Sequence, residues 1–192
     1  MIIGLSGYAR SGKDSFYLLT KDIFSSLQKK TSKYAFADSL KSELDNLLKS
    51  NLGISAFTEN KLEKGLIRPL LVTYGTDLRR KINPNCWIEK VESKLKTAID
   101  DFEYIFISDV RYQNESDWII SKGGFNIYIE RDGCGPANQE EEKNDEFLHK
   151  KCKYSFKWSD FASMEKGEPS VMVGNFWKKI NYGYERKRSR EF

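Results

Sequence analysis

The chain has 192 residues, of which 39% are hydrophobic and 31% charged, and its formal net charge is +4 at pH 7. This composition supplies enough apolar residues for one folded domain, and the mild charge argues against an obligate nucleic-acid-binding protein while it suits anionic ligands. No apolar run is long enough to span a membrane, and the three cysteines form no C-x-x-C pattern. We therefore expect a cytoplasmic protein with reduced cysteines, no signal peptide and no membrane segment.

A glycine-rich loop follows the first predicted strand. Gly7 and Gly12 stand five positions apart and Lys13 follows directly, which is the phosphate-binding pattern G-x-x-x-x-G-K. Glycines let backbone N–H groups approach an anion, and the helix that begins at Lys13 adds the positive end of its dipole. Lys13 can reach the β- and γ-phosphates of a nucleotide, while Ser15, or water held by Asp14, can place Mg²⁺. A chance glycine turn after a buried strand is the alternative.

Apolar periodicity predicts the order of the elements. In chain order these are strand 2–5, helix 13–27, strand 34–36, helix 40–48, a polar loop-like stretch over 51–65 in which 59–64 could be helical, a helix from Pro69 to Arg80 that bends near Gly75, helix 87–98, strand 104–107, helix 112–122, strand 125–130, an acidic mobile loop over 139–145, strand 153–158, helix 171–180 and a basic tail over 182–192. Alternating strands and helices predict an α/β fold with a parallel sheet and helices on both faces.

Five charged residues occupy positions where open α/β sheets bind ligands. Lys41 lies in the first turn of the helix over 40–48, and Arg68 precedes the bent helix. Asp109 comes just after the buried strand over 104–107, with Arg111 two positions on, and Arg131 follows the next strand. Arginine suits a bidentate grip on phosphate. For each of these residues, an ordinary solvated surface position is the alternative.

Four segments, in this order, resemble the deoxynucleoside monophosphate kinases of tailed bacteriophages. They are Ser6 to Ser15, Tyr34 to Lys41, Arg68 through Gly75-Thr76-Asp77 to Trp87, and Asp109-Val110-Arg111 with Glu115. The resemblance implies a P-loop NTP hydrolase-like fold of the nucleoside monophosphate kinase kind. It would comprise one domain over 1–180, with a helical substrate-binding region at about 38–100, a lid at about 131–150 and a separate tail. It also implies transfer of the ATP γ-phosphoryl group to deoxynucleoside 5′-monophosphates with Mg²⁺, which supplies DNA precursors, and a homodimer.

The resemblance also assigns individual residues. ATP would be held by Arg10, Gly12, Lys13, Asp14 and Ser15, with Arg131 on the same side, and Mg²⁺ by Asp14 and Ser15. The monophosphate would be surrounded by Lys41, Arg68, Gly75, Thr76, Trp87, Asp109, Arg111 and Glu115. The charge that develops during transfer would be neutralised by Lys13, Arg10, Arg68 and Arg111. A member of the family carries a basic residue where this chain has Ala9.

The chemistry agrees with this assignment, because a phosphate monoester is largely a dianion near neutral pH and needs no strong general base. Two alternatives remain. One is a P-loop kinase of another phosphorylated metabolite. The other is a non-catalytic, nucleotide-dependent protein that binds nucleic acid through the basic tail. The ribose 2′-hydroxyl would be excluded by Trp87 or Tyr74 acting as a steric wall.

Overall fold

The computed structural model describes residues 1–96, 101–136, 139–159, 165 and 167–188. Within these residues, five strands form one sheet in the order β2-β3-β1-β4-β5, and every neighbouring pair is parallel. The strands are β1 (Ile2–Ser6), β2 (Thr31–Tyr34), β3 (Tyr104–Ile107), β4 (Phe125–Arg131) and β5 (Tyr154–Trp158). The central strand β1 is buried along its whole length, as its apolar run predicts. The predicted parallel α/β fold is confirmed.

The helices lie in the connections between successive strands, except for the last one, which follows β5. They are α1 (Lys13–Ser26), α2 (Phe36–Leu52), α3 (Lys61–Val72), a π-helix (Thr73–Arg80), α4 (Cys86–Lys96), α5 (Gln113–Ser121), α6 (Gln139–Lys151) and α7 (Glu168–Arg188). None of the helices in this part of the chain is long and apolar enough to cross a membrane. The predicted end of the helix at Ala98 and the last four residues of the predicted tail fall outside the described residues.

Two apolar cores cover the two faces of the sheet. On one face, α1 and α7 contribute Phe16, Phe24 and Trp177, and the Trp177 indole donates to Thr20 Oγ1 at 2.8 Å. On the other face, α4 and α5 contribute Trp87 and Ile119 among others. A third and smaller cluster lies between α2 and α3 and consists of Leu44, Leu48, Ala56 and Ile67. The loops that leave the parallel strands lie at the carboxyl edge of the sheet.

The second strand and the helix after it begin earlier than predicted. β2 ends at Tyr34 and α2 starts at Phe36, whereas the predicted strand covered 34–36 and the predicted helix began at 40. The cause is Asp109, whose carboxylate accepts the N–H groups of Phe36 at 2.8 Å and Ala37 at 2.9 Å. An acceptor at these positions satisfies the first free donors of a helix.

The prediction that a helix begins at Pro69 was wrong, and of the two alternatives left open for 59–64 the structure has mainly the helical one. α3 begins at Lys61, because the Asn60 side chain accepts from the N–H groups of Leu62 and Glu63. Pro69 lies inside this helix, and the expected bend near Gly75 is a π-helix instead. In this wide helix, Gly75 packs directly against the Leu40 side chain.

The acidic run over 139–145 is also not the predicted mobile loop. It forms the first half of α6, and two of its carboxylates, Glu141 and Asp145, bond to groups outside the helix. The closing helix is longer than predicted, since α7 begins at Glu168 and includes the first part of the predicted tail.

Candidate active site

The glycine-rich loop joins β1 to α1 at the carboxyl edge of the sheet. Gly7 has φ 120° and Gly12 has φ 89°, which are conformations that residues with a Cβ rarely adopt. Space restricts both positions as well. A Cβ on Gly7 would lie 2.2 Å from the Ile129 carbonyl oxygen, and one on Gly12 would lie 2.5 Å from the Trp158 indole nitrogen. Arg10 also has a positive φ, 67°. The loop is therefore a tight cradle of backbone held against β4 and β5.

Lys13 begins α1 and folds its side chain back over this cradle. Its ammonium donates to the carbonyl oxygens of Gly7 and Tyr8, each at 2.7 Å. Burial is the main reason that the pKa of Lys13 falls from 10.5 to about 8, with a smaller contribution from the positive charge of Arg111 and an opposing effect of Glu141. A desolvated cation at the mouth of an anion cradle is suited to phosphate binding.

A cavity of about 300 Å³ opens beside the loop, between α2, α3, the π-helix and the turn after β3. Its lining includes Ala9 of the loop and all of the predicted substrate residues, which are Lys41, Arg68, Gly75, Thr76, Trp87, Asp109, Arg111 and Glu115. The lining combines cationic side chains with aromatic and apolar ones. These eight positions lie in α2, α3, the π-helix, α4, the turn after β3 and α5, so the structure brings together every residue assigned to the monophosphate.

Asp109 plays a structural part in this cavity. Both carboxylate oxygens are engaged by the start of α2, through the N–H groups of Phe36 and Ala37. Burial raises the pKa of this carboxyl, although the two N–H donors and Arg111 oppose that rise. Asp109 therefore fixes α2, and with it Lys41, relative to the turn that carries Arg111.

Glu115 is 1% exposed and holds a buried ion pair with Arg80 at 2.5 Å. Its other oxygen accepts the N–H groups of Arg111 at 2.8 Å and Tyr112 at 3.1 Å. The Arg80 guanidinium in turn stacks on the Tyr112 ring, with 3.9 Å between its central carbon and the ring centroid. Burial raises the pKa of Glu115, while Arg80 opposes this effect. Glu115 thus shapes the turn and orients a further arginine in the cavity wall.

Arg80 is a site residue that sequence reasoning did not select. It lines the cavity and is largely buried, with a side chain that is 14% exposed. Its partner Glu115 is 35 positions away in the chain, so no local pattern indicates the pair. The only sequence signal was its place at the end of a predicted helix that carries arginines.

Trp87 and Tyr74 differ in their relation to the cavity. Trp87 lines it, although the residue is only 2% exposed and its indole N–H donates to the Gly75 carbonyl at 3.3 Å. Tyr74 does not belong to the lining, and its hydroxyl donates to Glu43 at 2.7 Å. Of these two predicted wall residues, only Trp87 therefore lines the cavity.

The groups assigned to ATP and Mg²⁺ lie on the other side of the loop. The Cys134 thiol donates to the Arg10 carbonyl at 3.5 Å, and the Cys134 N–H donates to the Arg131 carbonyl at 3.2 Å. The turn after β4 therefore brings Arg131 to the same side as Arg10. Both arginines are exposed.

Asp14 and Ser15 lie in the first turn of α1, and both are exposed. Asp14 pairs with Lys33 at 3.0 Å, so its carboxylate points towards β2. Among the described residues, no group of three or more His, Cys, Asp or Glu side chains could hold a metal ion. The donors that are present suit Mg²⁺ held mainly by nucleotide phosphates and water, which is the usual manner of this ion.

Comparison with known families bears directly on the cavity. The sequence model described as deoxynucleotide monophosphate kinase matches residues 48–148, which is more than half of the chain and includes the segment from Arg68 to Glu115. The chain belongs to the deoxynucleotide monophosphate kinase family. The family membership and the phosphate loop together identify a phosphotransferase of the kinase type that acts on a nucleotide or a small metabolite.

Solved structures similar to this kinase have low sequence identity. Shikimate kinase from Aquifex aeolicus vf5 is 14% identical with a TM-score of 0.47, and the match covers 96% of this chain and 98% of that one. Shikimate kinase from Bacteroides thetaiotaomicron is 11% identical with a TM-score of 0.48, over 94% and 98% of the two chains. No curated protein sequence matches this kinase.

Proposed function

We propose that this kinase transfers the γ-phosphoryl group of ATP, in the presence of Mg²⁺, to a deoxynucleoside 5′-monophosphate. The observation that carries the proposal is the continuity of the site. The cavity that holds Lys41, Arg68, Arg80 and Arg111 reaches the phosphate loop at Ala9. A monophosphate bound by these cationic side chains would thus face the γ-phosphate of a nucleotide held by the loop, which is the alignment that in-line transfer needs.

The residues of the site supply charge rather than a general base. We assign Lys13, Arg10, Arg68 and Arg111 to the charge that develops on the transferred group. Lys41, Arg68 and Arg111 are also assigned to the acceptor phosphate, and Arg10 and Arg131 to the ATP side. The Mg²⁺ ion would screen the ATP phosphates, with Asp14 and Ser15 as the nearest oxygen donors on α1.

The apolar part of the cavity lining is assigned to the base and the sugar. It consists of Leu40, Leu71, Val72 and Trp87, and the Arg80–Glu115 ion pair adds polar groups to the same lining. Trp87 is held in place through its bond to Gly75, so it is suited to act as a rigid wall beside the sugar. We propose that this wall favours deoxyribose over ribose.

The first experiment measures ADP formation from Mg-ATP with each of the common deoxynucleoside monophosphates and with the matching ribonucleotides. We expect turnover with a subset of the deoxy forms. Absence of turnover with all of them, despite binding of ATP, would reject the proposed substrate. The kinase of another phosphorylated metabolite, or the nucleic-acid-binding alternative, would then take its place.

A pair of variants on α3 tests the assignment of Arg68 to the acceptor phosphate. Arg68→Met should raise the KM for the monophosphate by roughly tenfold to a hundredfold, because a charge-assisted bond to phosphate contributes about 1.5–3 kcal/mol. The KM for ATP should change little. Lys64→Met is the matched control, since Lys64 is exposed one turn earlier and pairs with Glu59 outside the cavity. Equal effects of the two variants on the KM for the monophosphate would remove Arg68 from the acceptor site.

A further inference from the structure

Helix α6 places one carboxylate against two donors of the active site. The Glu141 side chain is 9% exposed, and its Oε1 accepts from Arg111 Nη1 at 3.0 Å. Its Oε2 accepts from the backbone N–H of Ala9, in the phosphate loop, at 3.4 Å. Ala9, Arg111 and Glu141 all line the cavity. A carboxylate on α6 therefore lies at the junction of the loop and the acceptor pocket.

A second carboxylate holds the same helix one turn later. Asp145 accepts from the Tyr8 hydroxyl at 2.8 Å and from the Tyr128 hydroxyl. The bond to Asp145 is the main reason that the pKa of Tyr8 rises to about 12, so this hydroxyl remains a donor across the neutral range. Through Glu141 and Asp145, α6 is attached to the loop at two successive turns.

The donors that Glu141 uses are the kind that binds phosphate. Backbone N–H groups of a glycine-rich loop and an arginine guanidinium both bond well to phosphate oxygens. A carboxylate and a phosphate cannot use the same donors at the same time, and their charges repel. We propose that Glu141 occupies the subsite of the acceptor phosphate, and that α6 is an acidic latch which the phosphate of the substrate displaces.

This inference deepens the proposed function, on which the identity of the acceptor rests, but competition between anions applies to any phosphorylated acceptor. The latch lowers the apparent affinity for the acceptor, because only the open fraction of molecules can bind it. If the latch is closed in about nine of ten molecules, apparent affinity is reduced about tenfold. Release of α6 upon binding would then couple acceptor binding to a change around Lys13.

The test uses the full chain with the ATP site saturated by a non-hydrolysable ATP analogue and Mg²⁺. Inorganic phosphate is the probe, and its dissociation constant is measured by calorimetry for the unaltered chain, for Glu141→Gln and for Glu142→Gln. Glu142 is an exposed neighbour on the same helix, so its variant makes the same change in net charge outside the cavity. We expect Glu141→Gln to bind phosphate about tenfold more tightly. Glu142→Gln should differ less than twofold from the unaltered chain.

Hydrogen exchange over residues 139–151 gives a second readout that needs no turnover. Exchange should rise in Glu141→Gln, in Asp145→Asn and, when phosphate is added, in the unaltered chain. Unchanged or weaker phosphate binding by Glu141→Gln, or an α6 that stays equally protected with phosphate bound, would overturn the latch. Tighter binding by Glu141→Gln in a chain that phosphorylates no deoxynucleoside monophosphate would support the latch and reject the proposed substrate.

Discussion

Lys13 combines a buried position with a charge that must meet an anion. Its ammonium bonds to the Gly7 and Tyr8 carbonyls of the loop, yet burial lowers its pKa to about 8. The cost of keeping this charge desolvated is recovered when phosphates approach it. Both the positive charge of Lys13 and its burial therefore favour the binding of an anion.

The rate should depend on pH in a way that follows from this pKa. Above about pH 8, Lys13 loses its proton in the free enzyme, so kcat/KM for ATP should fall as pH rises through that value. At saturating ATP, the bound phosphates favour the charged form, so kcat should fall only at higher pH. Initial rates at varied ATP and pH give both profiles.

Two variants are controls for this profile. Lys13→Met should lower kcat by about a hundredfold or more, with its circular dichroism spectrum unchanged. Lys33→Met alters a lysine that pairs with Asp14 outside the cavity, and it should keep the fall near pH 8. A profile that is flat between pH 7 and 9 in the unaltered enzyme would contradict the assignment of this step to Lys13.

The pair of Arg80 and Glu115 predicts a large effect on stability. Arg80→Met leaves the Glu115 carboxylate buried without its cation, and breaking such a pair costs about 3–5 kcal/mol. Arg79→Met, next in the chain but with a half-buried partner Glu43, should cost less. In urea unfolding, the double variant Arg80→Met/Glu115→Gln should lose less stability than the sum of its two single variants. Strict additivity would show that the two groups do not interact.

Local sequence patterns selected residues that the structure places in the loop and around the cavity. The loop from Gly7 to Lys13 and the residues around Asp109 were selected from local patterns. Arg80 and Glu141 were not selected, because each acts through partners 35 and 30 positions away. Their roles in the cavity depend on packing that no local spacing indicates.

The elements of the sheet and of the substrate side differ in how well their sequence predicts them. The strands β1, β3, β4 and β5 agree with prediction within about one residue at each end, because β1, β3 and β4 are mostly buried runs and β5 alternates aromatic residues with exposed polar ones. Helices α2 and α6 depend on distant partners, Asp109 for one and the loop for the other. The start of α3 was predictable in principle, since Asn60 with Glu63 three positions on is a local N-terminal signal.

The π-helix limits the width of the cavity through the contact of Gly75 with Leu40. A Cβ on Gly75 would lie 2.9 Å from Leu40 Cδ2, and Leu40 itself lines the cavity. Gly75→Ala should therefore push Leu40 towards the substrate and raise the KM for the monophosphate several-fold, with a smaller change in the KM for ATP. Gly65→Ala in α3 is the control, because its Cβ meets nothing within 4 Å. It should stabilise the chain by about 0.5–1 kcal/mol without changing either KM.

The two helical layers of the sheet differ in what they contribute to the cavity. The layer of α1 and α7 closes an aromatic core through Trp177 and Thr20, and none of the described residues of these two helices lines the cavity, although α1 begins at Lys13 of the phosphate loop. The opposite layer contributes Trp87 both to a core and to the cavity wall. Substitutions in the first layer should therefore alter stability more than substrate preference.

Deletion of the C-terminal segment tests whether turnover or DNA binding depends on it. Val173, Trp177 and Ile180 are the buried apolar residues of α7 in the described core. Deletion of residues 182–192 should therefore leave the melting temperature within about 3 °C and leave turnover unchanged. Salt-sensitive binding of DNA that disappears with this deletion would favour the nucleic-acid-binding alternative. The homodimer implied by the family resemblance stays a prediction, which light scattering on both chains would measure.

The small cluster between α2 and α3 has a thermodynamic consequence. Leu44, Leu48, Ala56 and Ile67 form a cluster of their own, and Leu40 packs against both this cluster and the main core of that layer. A wall with so few buried apolar groups can open at a lower free energy than the sheet, as a separate cooperative unit. A nucleotide base seated against Leu40 and Leu71 would add apolar contact on the side where the wall has least. A bound acceptor should therefore stabilise the wall formed by α2 and α3, which would couple substrate binding to the local stability of this unit.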